Sequence, residues 1–276
     1  MNHKQPIALV TGASSGIGKA TAQQLAEAGF KVYGTSRRGA QTSQQGFSLL
    51  PLDVTSDESV AAVVKEVLRL EGRIDLLVNN AGFGVAPGAA EESSMEQARA
   101  IFETNFFGLV RMTRAVVPHM RQQGSGRIIN ISSVLGLLPM PYGALYAATK
   151  HAVEGYSESI DHELRTRGIR VCLVEPAYTK TEFDANMLQP DARLEEYSAV
   201  RRAIHERFPE LLAKGDEPDV VATVVVQAAR DDNPKIRYPA GGKARGLSLL
   251  RRFAPAAMLD AGIRRDLQLD KPADPA

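Results

Sequence analysis

A tyrosine and a lysine near the middle of the chain have the types and the spacing needed for proton transfer. In the stretch YAATK, Tyr146 stands four residues before Lys150, a spacing that places two side chains on one face of a helix. An ammonium beside a phenol favours the phenolate, which makes a tyrosine usable as a general acid or base near neutral pH. The same spacing also occurs in ordinary surface pairs on helices, so the pair alone does not establish catalysis.

Two further polar residues are candidates for the same site. Ser133 ends the apolar run GRIINISS, and its hydroxyl could donate to an oxygen on which negative charge develops. Asn105 lies in TNFFG, inside a long and interrupted helical pattern over residues 94–124. Taken singly, Ser133 could be the cap of a strand end, and Asn105 could be a polar residue that kinks a helix.

A glycine-rich stretch near the N-terminus, TGASSGIG, has the composition of a phosphate-binding loop. Gly12 allows a tight turn, Gly16 lets the backbone approach a ligand, and Gly18 lets the following helix pack closely on the strand. The start of that helix presents free N–H groups and the positive end of its dipole, with Ser14 and Ser15 as further donors. Because an apolar run precedes the loop and a helical pattern follows it, the sequence predicts a dinucleotide site.

The end of the second apolar run bears on which dinucleotide binds. An acid at this point would bind the ribose 2′-hydroxyl of NAD, whereas an arginine would accommodate the 2′-phosphate of NADP. The chain has Ser36 at this point, followed by Arg37 and Arg38. A guanidinium matches a phosphate in charge and geometry, so the sequence favours NADP(H) over NAD(H). Two solvated loop arginines are the alternative.

Strand-like and helical patterns alternate along the chain, and this alternation predicts the scaffold that holds these groups. It indicates an α/β fold with a doubly wound parallel sheet of about seven strands flanked by helices, in a single domain. The strands are continuous apolar runs, as expected where helices cover both faces of a sheet. They are read at residues 7–12, 31–37, 46–54, 74–82, 126–133, 169–176 and 235–241.

The composition excludes several other classes of protein. The 276 residues carry a net charge of +1, with 44% hydrophobic and 24% charged residues, which does not favour nucleic-acid binding. No apolar run approaches the ~18 residues of a membrane span, and no secretory signal precedes the first strand. With Cys172 as the one cysteine, a cytoplasmic protein without an internal disulfide is expected. The histidines show no metal-ligand spacing, so no metal is expected.

Five motifs, taken together and in order, resemble the classical short-chain dehydrogenase/reductases. They are TGASSGIG at 11–18, NNAG at 79–82, TNFFG at 104–108, NISS at 130–133 and YAATK at 146–150. The resemblance covers about residues 6–181 and implies a Rossmann-type fold. Within the family, the stretches TSRR and RYPAG are similar to those of hydroxysteroid and retinol dehydrogenases.

The resemblance implies a role for each catalytic candidate. It makes Tyr146 the general acid and base, and Lys150 the residue that lowers the tyrosine pKa and holds the nicotinamide ribose. It makes Ser133 the donor to the substrate oxygen and Asn105 the anchor of a water in the proton relay. We therefore expect an NADP(H)-dependent oxidoreductase that transfers hydride between the nicotinamide and a carbonyl or alcohol carbon. The alternatives are an NADP(H)-binding sensor with little turnover and a sugar-nucleotide epimerase or dehydratase.

The resemblance also assigns the contacts of the cofactor. Asp53 and Val54 are expected near the adenine, Asn80 and Ala81 at the adenosine ribose, and Thr181 at the nicotinamide amide or pyrophosphate. The full set of expected cofactor residues is Gly12, Ser14, Ser15, Gly16, Ile17, Gly18, Arg37, Asp53, Val54, Asn80, Ala81, Tyr146, Lys150 and Thr181.

Three regions are expected to enclose the substrate: residues 83–90, 134–143 and 182–217. The middle region is rich in leucine, which suits a small hydrophobic carbonyl or alcohol, although the same leucines could belong to the core. Residues 182–217 are predicted to form a mobile lid that excludes water. The family usually has Pro-Gly after the sixth strand, whereas this chain has Pro176 and Ala177, so the loop that leads to the lid is expected to differ.

The basic and amphipathic segment 240–270 completes the predicted organisation. It could lie on a membrane surface, cover the substrate mouth or pack on a partner subunit, and membrane contact is not the favoured reading. The single domain 1–276 thus divides into a cofactor-binding and catalytic core (6–181), the lid (182–217) and this extension. The resemblance implies a homodimer or homotetramer that pairs through the helices at 98–122 and 147–167.

Overall fold

Seven parallel strands form one sheet in the computed structural model, in the order β3-β2-β1-β4-β5-β6-β7. The structure describes residues 5–37, 46–183, 187–267 and 269, so Arg38 and part of the predicted lid lie outside the described residues. The chain order reverses between β1 and β4, where ligands bind in sheets of this kind. The strands are β1 Ile7–Val10, β2 Lys31–Ser36, β3 Ser48–Pro51, β4 Leu76–Asn79, β5 Gly126–Ile131, β6 Ile169–Pro176 and β7 Arg237–Ala240. The predicted doubly wound sheet is confirmed.

Helices connect the strands and cover both faces of the sheet. They are α1 Gly16–Glu27, α2 Asp57–Glu71, α3 Met95–Phe102, α4 Gly108–Gln123, α5 Ala144–Arg165, α6 Ser198–Ala213, α7 Pro218–Arg230, α8 Gly241–Phe253 and α9 Ala256–Asp266. The interruption expected within residues 94–124 is a π-helical turn, Glu103–Phe107, between α3 and α4. Such turns are rare and are often found at functional sites.

The two faces of the sheet carry separate hydrophobic cores. Ala8 and Val10 of β1 pack with residues of α1 and α7, whereas Ile7 and Leu9 pack with residues of α2 and α4. Alternate side chains of a strand point to opposite faces, so a strand covered on both sides must be apolar at every position. This explains why β1 is a continuous apolar run.

The N-termini of the helices differ in a way that concerns function. The first turn of α2 is capped by Ser56, whose hydroxyl accepts a hydrogen bond from the Ser59 N–H. By contrast, Ser15 and Gly143, which precede α1 and α5, make no side-chain cap. Because α1 and α5 follow β1 and β5, their free N–H groups lie at the carboxyl edge of the sheet, where the candidate residues also lie.

Candidate active site

The glycine loop between β1 and α1 has a backbone that side chains would disrupt. Gly12 and Gly16 have φ angles of +67° and +52°, in the left-handed region that favours glycine. A Cβ atom on Gly18 would overlap the carbonyl oxygen of Gly12 and the side-chain nitrogen of Asn80. Ile17, one of the expected cofactor contacts, is partly buried against the core beside β1.

The loop is held in place by the end of β4. The hydroxyl oxygen of Thr11 accepts hydrogen bonds from the N–H groups of Asn80, at 2.9 Å, and Ala81, at 3.0 Å. The amide nitrogen of Asn80 donates to the carbonyl oxygens of Thr11 and Gly12, at 3.0 and 3.1 Å. Asn80 therefore supports the loop by its side chain, and Thr11, the first residue of the glycine motif, is a supporting residue to which the sequence analysis gave no role.

An open cleft of about 930 Å³ joins the glycine loop to the segment after β6. Ser14, Ser15, Gly16 and Thr181 all line it. The Cβ of Thr181 lies 3.2 Å from the position that a Cβ on Gly16 would occupy, so the two predicted cofactor residues face each other. Ala177 has no positive φ, so alanine is compatible with this loop. The glycine turn, the free N–H groups of α1 and the size of the cleft fit the phosphates of a dinucleotide.

Arg37 and Asp53 lie together at the opposite end of the carboxyl edge. Asp53 accepts hydrogen bonds from the backbone and the hydroxyl of Thr55, at 2.9 and 2.8 Å. These bonds lower the pKa of Asp53, and the nearby positive charge of Arg37 lowers it further. Val54 is buried and packs against Gly108 at the start of α4. An exposed arginine therefore lies beside Asp53 at the end of β2, and its contact with a 2′-phosphate stays a prediction.

Lys150 and Tyr146 are in contact, as their spacing predicts. The Nζ atom of Lys150 lies 5.6 Å from the centre of the Tyr146 ring and donates a hydrogen bond of 2.8 Å to the Ile131 carbonyl. Burial lowers the pKa of Lys150 to about 8, and the negative charge of Glu154 opposes this shift. Tyr146 is the third residue of α5 and therefore lies in the first turn, at the positive end of the helix dipole.

Ser133 is the second residue after β5 and is buried. Its Oγ atom accepts a hydrogen bond from the Leu135 N–H, at 3.1 Å, and donates a long one of 3.4 Å to the Pro176 carbonyl. The serine thus caps the short helical turn that follows the strand. These are the contacts of a cap, which is the alternative to a catalytic role. The bond to Pro176 is long and weak, so the hydroxyl is free to turn to a substrate.

Asn105 is buried in the π turn, and its side chain is fully engaged. Its amide donates to the Phe83 carbonyl at 2.8 Å, and its Oδ1 accepts from the Phe83 N–H at 2.9 Å. A weaker bond of 3.4 Å reaches the hydroxyl of Thr149, which itself donates to the Tyr146 carbonyl. Asn105 and Lys150 line one small cavity. The role of Asn105 as the anchor of a water stays a prediction.

Comparison with known proteins identifies the family. The profile of the short chain dehydrogenase family matches residues 6–192. The chain belongs to the short-chain dehydrogenases. The resemblance predicted from the five motifs is thereby confirmed, and the chain is an oxidoreductase of this family.

Similar proteins include family members whose names state an activity and members described only as uncharacterized oxidoreductases. A 3-ketodihydrosphingosine reductase of Bacteroides thetaiotaomicron is 47% identical over 180 residues, which is 65% of this chain and 66% of that protein. An uncharacterized oxidoreductase of Bacillus subtilis, YusZ, is 35% identical over 97% of this chain and 99% of its own length. Retinol dehydrogenase 8 of Bos taurus is 34% identical over 91% of this chain and 86% of its own.

Solved structures share the whole architecture. A short-chain dehydrogenase from Streptomyces avermitilis has a TM-score of 0.80 and 32% identity, covering 98% of this chain and 100% of that one. A short chain dehydrogenase from Burkholderia cenocepacia, solved in complex with NADP, has a TM-score of 0.76 and 26% identity, covering 95% and 99%. The likeness therefore includes the region beyond residue 192.

A group of charges that includes two buried carboxylates lies next to the candidate residues of α5. Arg237 of β7 contacts Glu154 at 2.9 Å, Glu158 at 2.5 Å and Glu175 at 3.0 Å. Glu175 is completely buried, and neither of its carboxylate oxygens accepts a well-aligned hydrogen bond from the described residues. Burial raises the pKa of Glu175 to about 7, and the charge of Glu154 adds to the effect.

Sequence reasoning missed this group, although one signal was available. Tyr146, Lys150 and Glu154 are spaced four residues apart along α5 and therefore share one face. The third position could have been noticed from the spacing. Glu175 and Arg237 could not, because the register of β6 and β7 brings them together.

Tyr146 has an aromatic contact with a residue of the predicted lid. The ring of Phe183 meets the ring of Tyr146 edge-on, with centroids 5.6 Å apart. The Phe183 ring also covers Gly84, where an added Cβ would lie 3.0 Å from it. Phe183 is therefore a neighbour of Tyr146 that the motifs did not indicate.

The predicted lid is fastened over part of its length to the loop after β4. Leu188 exchanges backbone hydrogen bonds with Gly84 and Ala86, at 3.0 and 2.7 Å. Glu92 is completely buried, accepts the Leu194 N–H at 2.9 Å and forms a salt bridge with Arg201 of α6. These contacts involve residues 188–201 of the predicted lid. The lid remains a prediction.

Other reactive groups lie apart from the site. Burial raises the pKa of the Cys172 thiol to about 11, so this cysteine has a packing role. No cluster of His, Cys, Asp and Glu in the described part of the chain could hold a metal ion. The described helices include none that is both long and apolar enough to cross a membrane.

Proposed function

We propose that this short-chain dehydrogenase is an NADP(H)-dependent enzyme that interconverts a hydrophobic carbonyl and its alcohol, with Tyr146 as general acid and base. The observation that carries the proposal is the buried contact between the Lys150 ammonium and the Tyr146 ring, at 5.6 Å. A sensor protein would not need a cation held at this cost of burial beside a phenol. An epimerase or dehydratase is not favoured by the full-length likeness to dehydrogenases.

The residues that would hold the cofactor follow from the cleft. The N–H groups at the start of α1, with Ser14 and Ser15, are suited to the pyrophosphate, and Thr181 borders the same cleft. Arg37 is suited to the 2′-phosphate, with Asp53 beside it. When bound, the nicotinamide supplies the hydride for reduction or accepts it in oxidation. The complex of the Burkholderia relative with NADP supports this assignment, and Arg37 supports the preference over NAD(H).

Tyr146 moves the proton at the substrate oxygen. In reduction its hydroxyl donates the proton, and in oxidation the phenolate takes it back. The Lys150 ammonium and the N-terminal end of α5 stabilise the phenolate that remains. Ser133 gives up its weak bond to the Pro176 carbonyl and donates to the same substrate oxygen as charge develops there. The backbone of the π turn around Asn105 holds the water through which the proton is replaced.

The substrate that fits is one with a long hydrocarbon part. Leu135, Leu137 and Met140 are half-buried in the loop that follows Ser133, whereas Leu138 is buried and belongs to the core. Phe183 adds an aromatic wall next to Tyr146. Two relatives carry the names 3-ketodihydrosphingosine reductase and retinol dehydrogenase, which both indicate lipid substrates. We therefore propose an amphiphilic ketone or aldehyde and its alcohol as the substrate class.

The proposal is tested by Tyr146→Phe with NADPH and a panel of long-chain ketones and aldehydes. We expect the variant to lose about 1,000-fold in kcat, within the range of general acid–base catalysis, because the phenolic proton is gone. NADPH binding, followed by fluorescence titration, should stay within a few-fold of the wild type. Tyr33→Phe is the control, because the Tyr33 hydroxyl pairs with Glu71, away from the site. Wild-type binding of NADPH without turnover on any carbonyl would favour the sensor instead.

A further inference from the structure

The last two helices expose large apolar side chains to solvent. The exposed fractions are 59% for Leu249, 38% for Leu250, 73% for Phe253 and 57% for Met258. Phe253 has the highest value among the exposed large hydrophobic residues described. These four residues lie within ten positions of one another, on α8 and at the start of α9. An apolar surface of this kind, concentrated in one segment, indicates an interaction site.

The same two helices concentrate positive charge. Residues 241–266 contain six lysines and arginines and two aspartates, a net charge of +4, whereas the whole chain carries +1. The rest of the molecule is therefore slightly acidic, and the basic character is confined to this segment. An asymmetry of this kind favours an anionic partner.

The apolar and basic side chains are interleaved on the outward face. Leu249 and Phe253 are four residues apart and share one side of α8, and Arg245 lies four residues before Leu249 on that side. Arg245, Arg251 and Arg252 are exposed, and no described carboxylate side chain forms a salt bridge with them. Their charge is thus available to a partner. The opposite side of the helix pair is anchored by buried residues, Ala244 of α8 and Leu259 of α9.

Three occupants could cover this face, and the charges distinguish them. A second copy of the chain, placed symmetrically, would bring two basic surfaces together, which is unfavourable. The substrate mouth is not what the face covers, because the side chains in question point to solvent. We infer that α8 and α9 dock on a membrane surface that contains anionic lipid, with Leu249, Phe253 and Met258 entering the headgroup region and the arginines contacting phosphates.

The position of α8 connects this surface to the catalytic site. Helix α8 packs against β7 and against residues 134–136, the turn that Ser133 caps. Docking would therefore bring the leucine-rich loop of the substrate cleft close to the lipid surface. This last step, in which an amphiphilic substrate passes from the bilayer into the cleft, rests on the proposed function. The docking itself does not.

The test is co-sedimentation of the full-length chain with two kinds of vesicle, at low salt. One kind is phosphatidylcholine alone, and the other contains 30% phosphatidylglycerol. We expect binding to the anionic vesicles only, and its loss in 0.5 M salt, where charges are screened within a few ångströms. The double variant Arg251→Glu, Arg252→Glu should weaken binding at least roughly 25-fold, at about fivefold for each cation removed near the surface. Phe253→Ser should weaken it roughly tenfold, because the ring no longer enters the interface.

Matched controls lie elsewhere on the surface. Met95 is 61% exposed on α3, and Arg69 is exposed on α2, so Met95→Ser and Arg69→Glu should bind vesicles as the wild type does. None of these variants touches the site, so turnover of a water-soluble aldehyde should not change. Equal binding to both vesicles, or no binding to either, would overturn the inference. If Phe253→Ser instead changes the oligomeric state in gel filtration, the face belongs to a second copy; if only an acidic protein binds it, a membrane is not the partner.

Discussion

The two sides of the candidate active site, for which we propose cofactor binding and proton transfer, are built in different ways. The glycine loop lies within residues 12–18 and works through its backbone, in conformations and spaces that admit no side chain. The catalytic side collects Asn105, Ser133, Tyr146 and Lys150 from a π turn, a strand end and one helix. It works through side chains whose charge is adjusted by burial and by more distant acids.

This difference predicts two kinds of sensitivity. The glycine loop, which is built from backbone, should lose affinity for the cofactor when a side chain is added, and its affinity should depend little on pH. A site built from buried charges should tolerate small changes of shape, while each neighbouring charge alters it. Each variant tests one side for the sensitivity that is expected of it. The comparison would fail if the glycine loop responded mainly to pH, or if the proton-transfer side responded mainly to added volume.

The largest effect is expected from Gly18→Ala. The added methyl group overlaps the Gly12 carbonyl, so the loop must move and the N–H groups of α1 lose their alignment. We expect affinity for NADPH, measured by fluorescence titration, to fall at least about 100-fold, or about 3 kcal/mol. Gly155→Ala is the matched control, because nothing lies within 4 Å of a Cβ on that helical glycine. It should bind NADPH normally and be slightly more stable. An intact affinity in Gly18→Ala would show that the loop is not the phosphate site.

The second effect concerns Arg37, the side chain that is proposed to select between the two dinucleotides. Arg37→Asp replaces a cation at the predicted 2′-phosphate by an anion that suits a ribose hydroxyl. The ratio of kcat/KM for NADPH over NADH should fall by about 100-fold, since a charged hydrogen-bonded pair is worth about 1.5–3 kcal/mol. Arg69→Asp, which removes only an exposed pair with Glu66, is the control. An unchanged ratio would leave Arg37 as a solvated loop residue.

The third effect is on stability, and it tests the charges behind the catalytic side. The pKa of Glu175 in the folded protein, about 7, lies above its ordinary value of 4.5. The folded state therefore binds an extra proton between these values, and stability falls as pH rises from 4.5 to 7. Glu175→Gln removes this loss, so it should raise the free energy of unfolding at pH 8 by about 3 kcal/mol, at about 1.4 kcal/mol for each pKa unit, and have little effect at pH 4.5. Urea unfolding at the two pH values measures this.

A control for that experiment lies on the same helix as the catalytic residues. Glu163→Gln changes an exposed carboxylate near the end of α5 and should leave both unfolding curves in place. If Glu175→Gln destabilised the protein at pH 8, the carboxylate would be a required partner of Arg237 rather than a strained buried acid.

The smallest effect is expected from Glu154→Gln, read as a pH profile. Glu154 opposes the fall in the pKa of Lys150, so its neutral replacement should lower that pKa further below 8. The ammonium is then lost at lower pH, and the decline of kcat should begin about one unit earlier, with about fivefold lower activity at pH 8 and little change at pH 6. Glu154→Asp should restore most of the profile. A reduction that is equal at every pH would indicate a purely structural role for Glu154.

Particular residues show how far sequence reasoning reached. The seven strands, the family and the contact of Tyr146 with Lys150 were predictable, because apolar runs and four-residue spacing are local properties. The bond from Ser133 to the Pro176 carbonyl and the full engagement of the Asn105 side chain were not, since both depend on partners more than 20 positions away. The salt bridge of Glu92 with Arg201 was equally hidden, because its partners lie in distant parts of the chain.

By itself the sequence determined the alternation of strands and helices, the glycine turn and the face of α5 that carries the proton chemistry. These depend on the nearest few residues, whose steric and periodic constraints are the same in any chain. The tertiary structure decided which charges surround Lys150 and which side chains of the last two helices remain exposed. Burial is a property of the whole packed molecule, so the fate of a charge or an apolar side chain follows only once the sheet has brought distant segments together.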